Sequence, residues 1–182
     1  MSEPHPERLL LETARFRVVE RYQPTREGEP DAVRQVVLHP GAAVILPLLD
    51  DGRICLIRNL RVAVGKELIE LPAGTLDPGE PPLETAQREL QEETGYTAEH
   101  WRELPGFFMS PGILNERMHV FVAEGLTAGH HAREAGEQIE NSLVDADEAI
   151  AMVRRGEIED AKSVATLLMW NLQASLKSSS LD

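Results

Sequence analysis

The stretch Gly74 to Tyr96, GTLDPGEPPLETAQRELQEETGY, constrains this chain more than any other. Its second half reads as a helix: Pro81 and Pro82 suit a first turn, where a missing N–H costs nothing, and Gly95 suits the stop. Leu83, Ala86, Leu90 and Thr94 recur at helical spacing and are expected to face a core. Glu89 and Glu92 are three apart and Glu89 and Glu93 four apart, so all three project from neighbouring turns of one face. Arg88 lies four residues from both Glu84 and Glu92. Carboxylates crowded this way repel each other unless a cation or a basic partner compensates. A hard divalent ion such as Mg²⁺ or Mn²⁺ prefers oxygen ligands and commonly bridges carboxylates to phosphates. On charge pattern alone, a solvated Glu-rich helix competes with that reading.

The chain has 182 residues, enough for one domain with a real core. Its division is expected at 1–40 for a strand extension, 41–176 for the main domain and 177–182 for a disordered tail. With 18 Lys plus Arg against 31 Asp plus Glu, the formal charge is −13, which argues against nucleic-acid or anionic-membrane binding. The single Cys55 excludes an internal disulfide and suits a small core residue in a reducing cytosol. No signal peptide or membrane span is visible, so a soluble cytoplasmic protein is expected.

Phe16 to Tyr22, Ala32 to Leu38, Ala42 to Leu49, Arg53 to Leu60, Glu67 to Leu71, Leu104 to Met109 and Met118 to Glu124 read as strands. Ala42 to Leu49 and Arg53 to Leu60, joined at Asp51-Gly52, read as a hairpin inside the main sheet. Gly125 to Asn141 is polar and reads as a mobile loop. Ala146 to Arg155 and Ala161 to Leu176 read as helices, the second with Val164, Leu167, Leu168 and Leu172 as its core stripe. The six His residues show no metal-ligand spacing, and no P-loop, G-x-S-x-G or G-x-G-x-x-G occurs.

The spacing of Gly74, Glu80, Arg88-Glu89, Glu92-Glu93 and Gly95 resembles the Nudix box, a loop-helix signature of hydrolases acting on nucleoside diphosphates linked to another group. Tyr96 departs from it, since the family usually carries an aliphatic residue there. The resemblance implies an α/β fold of the Nudix α/β/α sandwich type, with a mixed β-sheet and a small N-terminal β extension. It implies Glu89, Glu93 and the Ala73 carbonyl as principal ligands of Mg²⁺, with Mn²⁺ as a substitute, Glu92 as a further or water-mediated catalytic ligand, and Arg88 as the residue that orients the carboxylates.

Within the family, Pro111 and the SPG…ER pattern that ends with Glu116 and Arg117 resemble the ADP-ribose pyrophosphatase subgroup. That resemblance implies a loop Glu as base or further ligand, matched best by Glu137, with Glu134 in reserve and Glu140 as the remaining acid of the segment. It also implies a homodimer that exchanges N-terminal strands, with Phe16, Tyr22 and Arg34 near an adenine and Arg58, Arg61, Pro111 and Glu116 on the substrate side. Cleavage of ADP-ribose or ADP-sugars is the leading expectation. A GDP-mannose or other nucleotide-sugar pyrophosphatase is the alternative, and a non-catalytic nucleotide sensor a third.

Overall fold

A computed structural model describes residues 7–26, 29, 31–129 and 139–179. Its strands are β1 (Arg8–Glu12), β2 (Arg17–Gln23), β3 (Ala32–Leu38), β4 (Ala42–Pro47), β5 (Arg53–Arg61), β6 (Lys66–Glu70), β7 (Ala73–Thr75), β8 (Tyr96–Phe108), β9 (Arg117–Ala128) and β10 (Ile139–Asp145). Its helices are α1 (Pro82–Glu89), followed directly by a π-turn over Leu90–Thr94, then α2 (Ala146–Arg155) and α3 (Ala161–Ser179).

Every residue of β4 is buried, as its apolar run requires of a strand covered on both faces. It lies in a sheet of order β7-β4-β9-β8, parallel to β9 and antiparallel to β7, so the sheet is mixed. Alternation then divides its side chains between two cores. Ala43 and Ile45 join Phe121 and Ala123 beneath Ala86 and Leu90 of the α1 stretch. Val44 and Leu46 face Ile54 and Leu56 of β5, Ala149 and Ile150 of α2 and Leu167 of α3. Helices thus cover both sides of the stack, the α/β/α arrangement expected.

Several details differ from the sequence reading. β4 and β5 do not form a hairpin in one sheet: β5 sits in a second sheet of order β10-β5-β6, and only Leu48 bridges to Ile54. The Asp51-Gly52 turn therefore carries the chain between layers. β8 begins at Tyr96, eight residues before the expected start, and follows the polar AEHWR run. Pairing with β9 overrides the weak local preference there, and β9 itself runs on to Ala128. β1 is an added strand: its three leucines are too short a run to tell strand from helix, and pairing with β2 decides it.

Leu83 of α1 and Leu168 and Leu172 of α3 are exposed rather than core. α3 also continues to Ser179, into the stretch expected to be disordered. Cys55 is a buried core thiol, and burial pushes its pKa up to about 12. Among the described residues, no helix is long and apolar enough to cross a membrane.

Leu90 is fully buried between the helical stretch and β4. Leu90→Ala should cost about 2–5 kcal/mol through the cavity it leaves, read as a drop in unfolding free energy in urea.

Candidate active site

The helical stretch changes pitch where its carboxylates begin. α1 ends at Glu89 and the next five residues form the wider π-turn, closed by Gly95 at φ +76°. The Thr94 hydroxyl donates back to the Leu90 carbonyl inside this turn. Such single π-turns cluster at functional sites, where they re-aim side chains. Neighbouring residues of a helical turn do not share a direction. Glu92 stays at the surface, whereas Glu93 is turned inward and is only 4% exposed.

What Glu93 meets is the edge strand β7. Ile45 donates to the Pro72 carbonyl and Leu76 to the Gly41 carbonyl, so Val44 and Ala73 form a non-bonded pair of the ladder. Both backbone groups of Ala73 therefore point away from β4. Its N–H donates to Glu93 Oε2 at 2.9 Å, and its carbonyl faces the same outer side. Glu89 lies against the next residue: a Cβ added to Gly74 would fall 1.8 Å from Glu89 Oε1. Only glycine leaves that carboxylate room, so the box glycine has a steric reason independent of its backbone angles.

Arg88 ties the remaining acids together. Its Nε and Nη2 each lie 3.2 Å from a Glu80 oxygen, and its Nη1 reaches Glu89 at 2.6 Å and Glu92 at 3.2 Å. Nη2 also approaches the Thr75 carbonyl at 3.4 Å. Glu84, which shares the helical spacing, is not among its partners. Glu80 in turn accepts from the Asp77 N–H and the Thr85 hydroxyl. The Arg88 hydrogen bond is the main reason that the Glu80 carboxyl is held down at about 2.

β7 is also one wall of a cavity of about 360 Å³, whose other lining includes Arg61, Glu70, Glu116, Asp160 and Lys162. Arg61 grips the fully buried Glu70 through two bonds, at 2.8 and 2.6 Å, while its side chain stays 40% exposed. That pairing raises the Arg61 pKa. Glu116 joins this lining from the loop between β8 and β9. The loop is fixed by Val37, which donates to the Ile113 carbonyl and accepts from Asn115.

The remaining expected residues lie elsewhere. Arg58 pairs with Glu67 on an exposed face, and Pro111 is exposed in its loop. Tyr22 and Arg34 are exposed on the β1-β2-β3 sheet, where Arg34 reaches Gln23, and Phe16 lines a different cavity beside Arg15 and Arg17. Glu140 is exposed on β10, and Glu134 and Glu137 lie outside the described residues. Tyr96 packs against the core under the helix. Sequence reasoning missed Glu70, Asp160 and Lys162. The available signal was a Glu closing an apolar strand.

The donors around β7 are oxygens only, carboxylates and one backbone carbonyl, which suits a hard divalent cation. Among the described residues, no three side chains already converge as a metal cluster. The reason is visible: Arg88 holds Glu89 and Glu92, and Ala73 holds Glu93. This donor chemistry fits a hard divalent cation, and Arg88 supplies part of the positive charge these acids need.

The chain is similar to known proteins over most of its length. The NUDIX domain profile matches residues 37–167. An ADP-ribose pyrophosphatase from Bacillus subtilis is 38% identical over 146 residues, covering 79% of each chain. A GDP-mannose pyrophosphatase from Citrobacter koseri is 38% identical over 137 residues, covering 70% of this chain and 71% of that one. A solved structure titled as an ADP compounds hydrolase superposes with a TM-score of 0.79 at 21% identity, covering 98% of both chains.

Gly74→Ala should push the Glu89 carboxylate off β7 and weaken Mg²⁺ binding about 10- to 100-fold, measured by titration calorimetry; unchanged affinity would remove Glu89 from the ligand set. The Glu80 pKa gives a second test. A carboxylate held at about 2 against an ordinary 4.5 contributes stability that is complete above 4.5 and lost as the pH falls toward 2. Glu80→Gln should therefore be less stable than the wild type at neutral pH, with the gap closing over that acidic window in metal-free denaturation.

Proposed function

This chain belongs to the Nudix family of hydrolases, and we propose that it cleaves the diphosphate bridge of ADP-ribose or a related ADP-sugar to AMP and a sugar phosphate. The observation that carries this reading is the double use of β7. The strand that receives Glu89 and Glu93 also walls the cavity lined by Arg61 and Glu116. A diphosphate lying along that strand has acidic metal-ligating groups on one side and a guanidinium on the other. The Bacillus subtilis relative, named an ADP-ribose pyrophosphatase, supports the choice of nucleotide by matching 79% of this chain, against 70% for the Citrobacter koseri relative.

Phosphoanhydride cleavage asks a protein for positioning and charge neutralisation. Glu89, Glu92, Glu93 and the Ala73 carbonyl would hold Mg²⁺ or Mn²⁺, which supplies charge neutralisation and an acidified water. Arg88 fixes the azimuth of Glu89 and Glu92. Arg61 keeps Nε and Nη2 on Glu70 and offers its remaining nitrogen, Nη1, to a phosphate oxygen. Glu137 takes the proton of the attacking water, with Glu134 in reserve. That water forms the new P–O bond as the bridging P–O bond breaks.

The protein is proposed to work in the cytoplasm as a homodimer. Leu9, Leu10, Leu11, Tyr22 and Val33 of the β1-β2-β3 sheet are exposed apolar side chains that a second copy would cover, bringing Phe16, Tyr22 and Arg34 toward its adenine. GDP-mannose is the second reading, favoured by the equally identical Citrobacter koseri relative.

Incubation with ADP-ribose and with GDP-mannose, each with and without Mg²⁺, should give AMP release from ADP-ribose only when metal is present. Preferred GDP-mannose turnover would select the second reading, and full activity after chelation would contradict both. Glu93→Gln should lower kcat by about two orders of magnitude or more.

A further inference from the structure

The cavity that Arg61 borders has behind it a buried charge relay that the reaction as described leaves unused. Glu70 Oε2 accepts not only from Arg61 but also from Lys162 Nζ, at 2.6 Å. Lys162 is itself nearly buried and lies 2.9 Å from Asp160 Oδ2. Asp160 caps α3, accepting from the Ser163 N–H at 3.0 Å and the Ser163 hydroxyl at 2.6 Å. That hydroxyl in turn accepts the Leu71 N–H at 2.7 Å, which locks the start of α3 to the strand end carrying Glu70. Each polar member has its partners, so this is a fixed array of two cations and two carboxylates.

We propose that Lys162 is a positioning residue for the substrate diphosphate, acting through Glu70 to free the charge of Arg61. The inference rests on the diphosphate-cleaving reading above and concerns only the sign of the charge at the cavity wall. A buried carboxylate must be compensated. With Lys162 present, the four groups sum to zero, and the exposed guanidinium faces the cavity without a surplus anion behind it. Without Lys162 the same wall carries one net negative charge, in a setting where water screens poorly. A diphosphate would then be repelled from the cation meant to hold it.

The charge argument makes a prediction that a merely structural role does not. Lys162→Met should weaken binding of ADP-ribose to the metal-free protein, where no turnover occurs, by about tenfold or more, and raise KM in Mg²⁺ more than it lowers kcat. Lys162→Arg should stay near wild type. Glu70→Gln with Lys162→Met restores a net charge of zero at the wall, and should bring affinity back to within about threefold of wild type. A structural role would make that double variant worse than either single one.

If Lys162→Met does not fold, the same contrast is read from Glu70→Gln, whose wall is net positive and should bind more tightly than the wild type. Unchanged affinity in Lys162→Met, or a double variant weaker than it, would overturn the proposal. Should the wild type fail to bind ADP-ribose, the choice of substrate fails, and inorganic pyrophosphate becomes the probe for the same series. Absence of pyrophosphate binding as well would overturn the proposal too.

Discussion

A helical stretch and a three-residue edge strand meet through two carboxylates, and the site is built outward from that contact. β7 is an edge, so the outward N–H of Ala73 would lack a strand partner. Glu93, which lies in the π-turn, supplies one. Gly74 removes the one carbon that would keep Glu89 from lying beside it. Underneath, Ala86 and Leu90 press the stretch onto Ala43 and Ile45, so packing sets the height at which the acids meet the strand. Core, turn and strand edge therefore act together.

Charge organises the rest. A protein of net charge −13 that handles an anionic substrate must cancel its own acids locally. It does so at two places around β7. Arg88 is shared among Glu80, Glu89 and Glu92 near the surface. Arg61 and Lys162 share Glu70 in the interior. The first array keeps three carboxylates together beside β7, and the second leaves a guanidinium lining the cavity. Buried ion pairs of this kind are costly unless fully bonded, which makes them better evidence of a positioned site than of stability.

How much of this the sequence revealed depended on whether the information was local. Gly74, Glu80, Arg88 and Gly95 stood out because their spacing is itself the constraint. The strand Ala32–Leu38 and the helix Ala146–Arg155 were readable residue for residue, from a β-branched run after a turn-rich stretch in the one and from Ala149, Ile150 and Val153 sharing a helical side in the other. The π-turn was hidden, since a wider turn leaves no mark in an i, i+3, i+4 pattern, and so the burial of Glu93 was hidden too. The polar first half of β8 gave no apolar signal to read, and the three leucines of β1 are too short a run to tell strand from helix. Lys162 and Glu70 are ninety-two positions apart, and only the fold brings them together. The assignment of two adjacent strands to different sheets was likewise a tertiary outcome that hairpin chemistry at Asp51-Gly52 did not foretell.

The central claim is that the acids folded onto β7 grip a divalent ion against a diphosphate. Crystals grown without metal, then soaked in Mn²⁺ with AMP, address it through anomalous diffraction. The account predicts a manganese peak within coordinating distance of the Ala73 carbonyl and at least one oxygen of Glu89, Glu92 or Glu93. Manganese bound only elsewhere, with these three still on Arg88 and the Ala73 N–H, would contradict it.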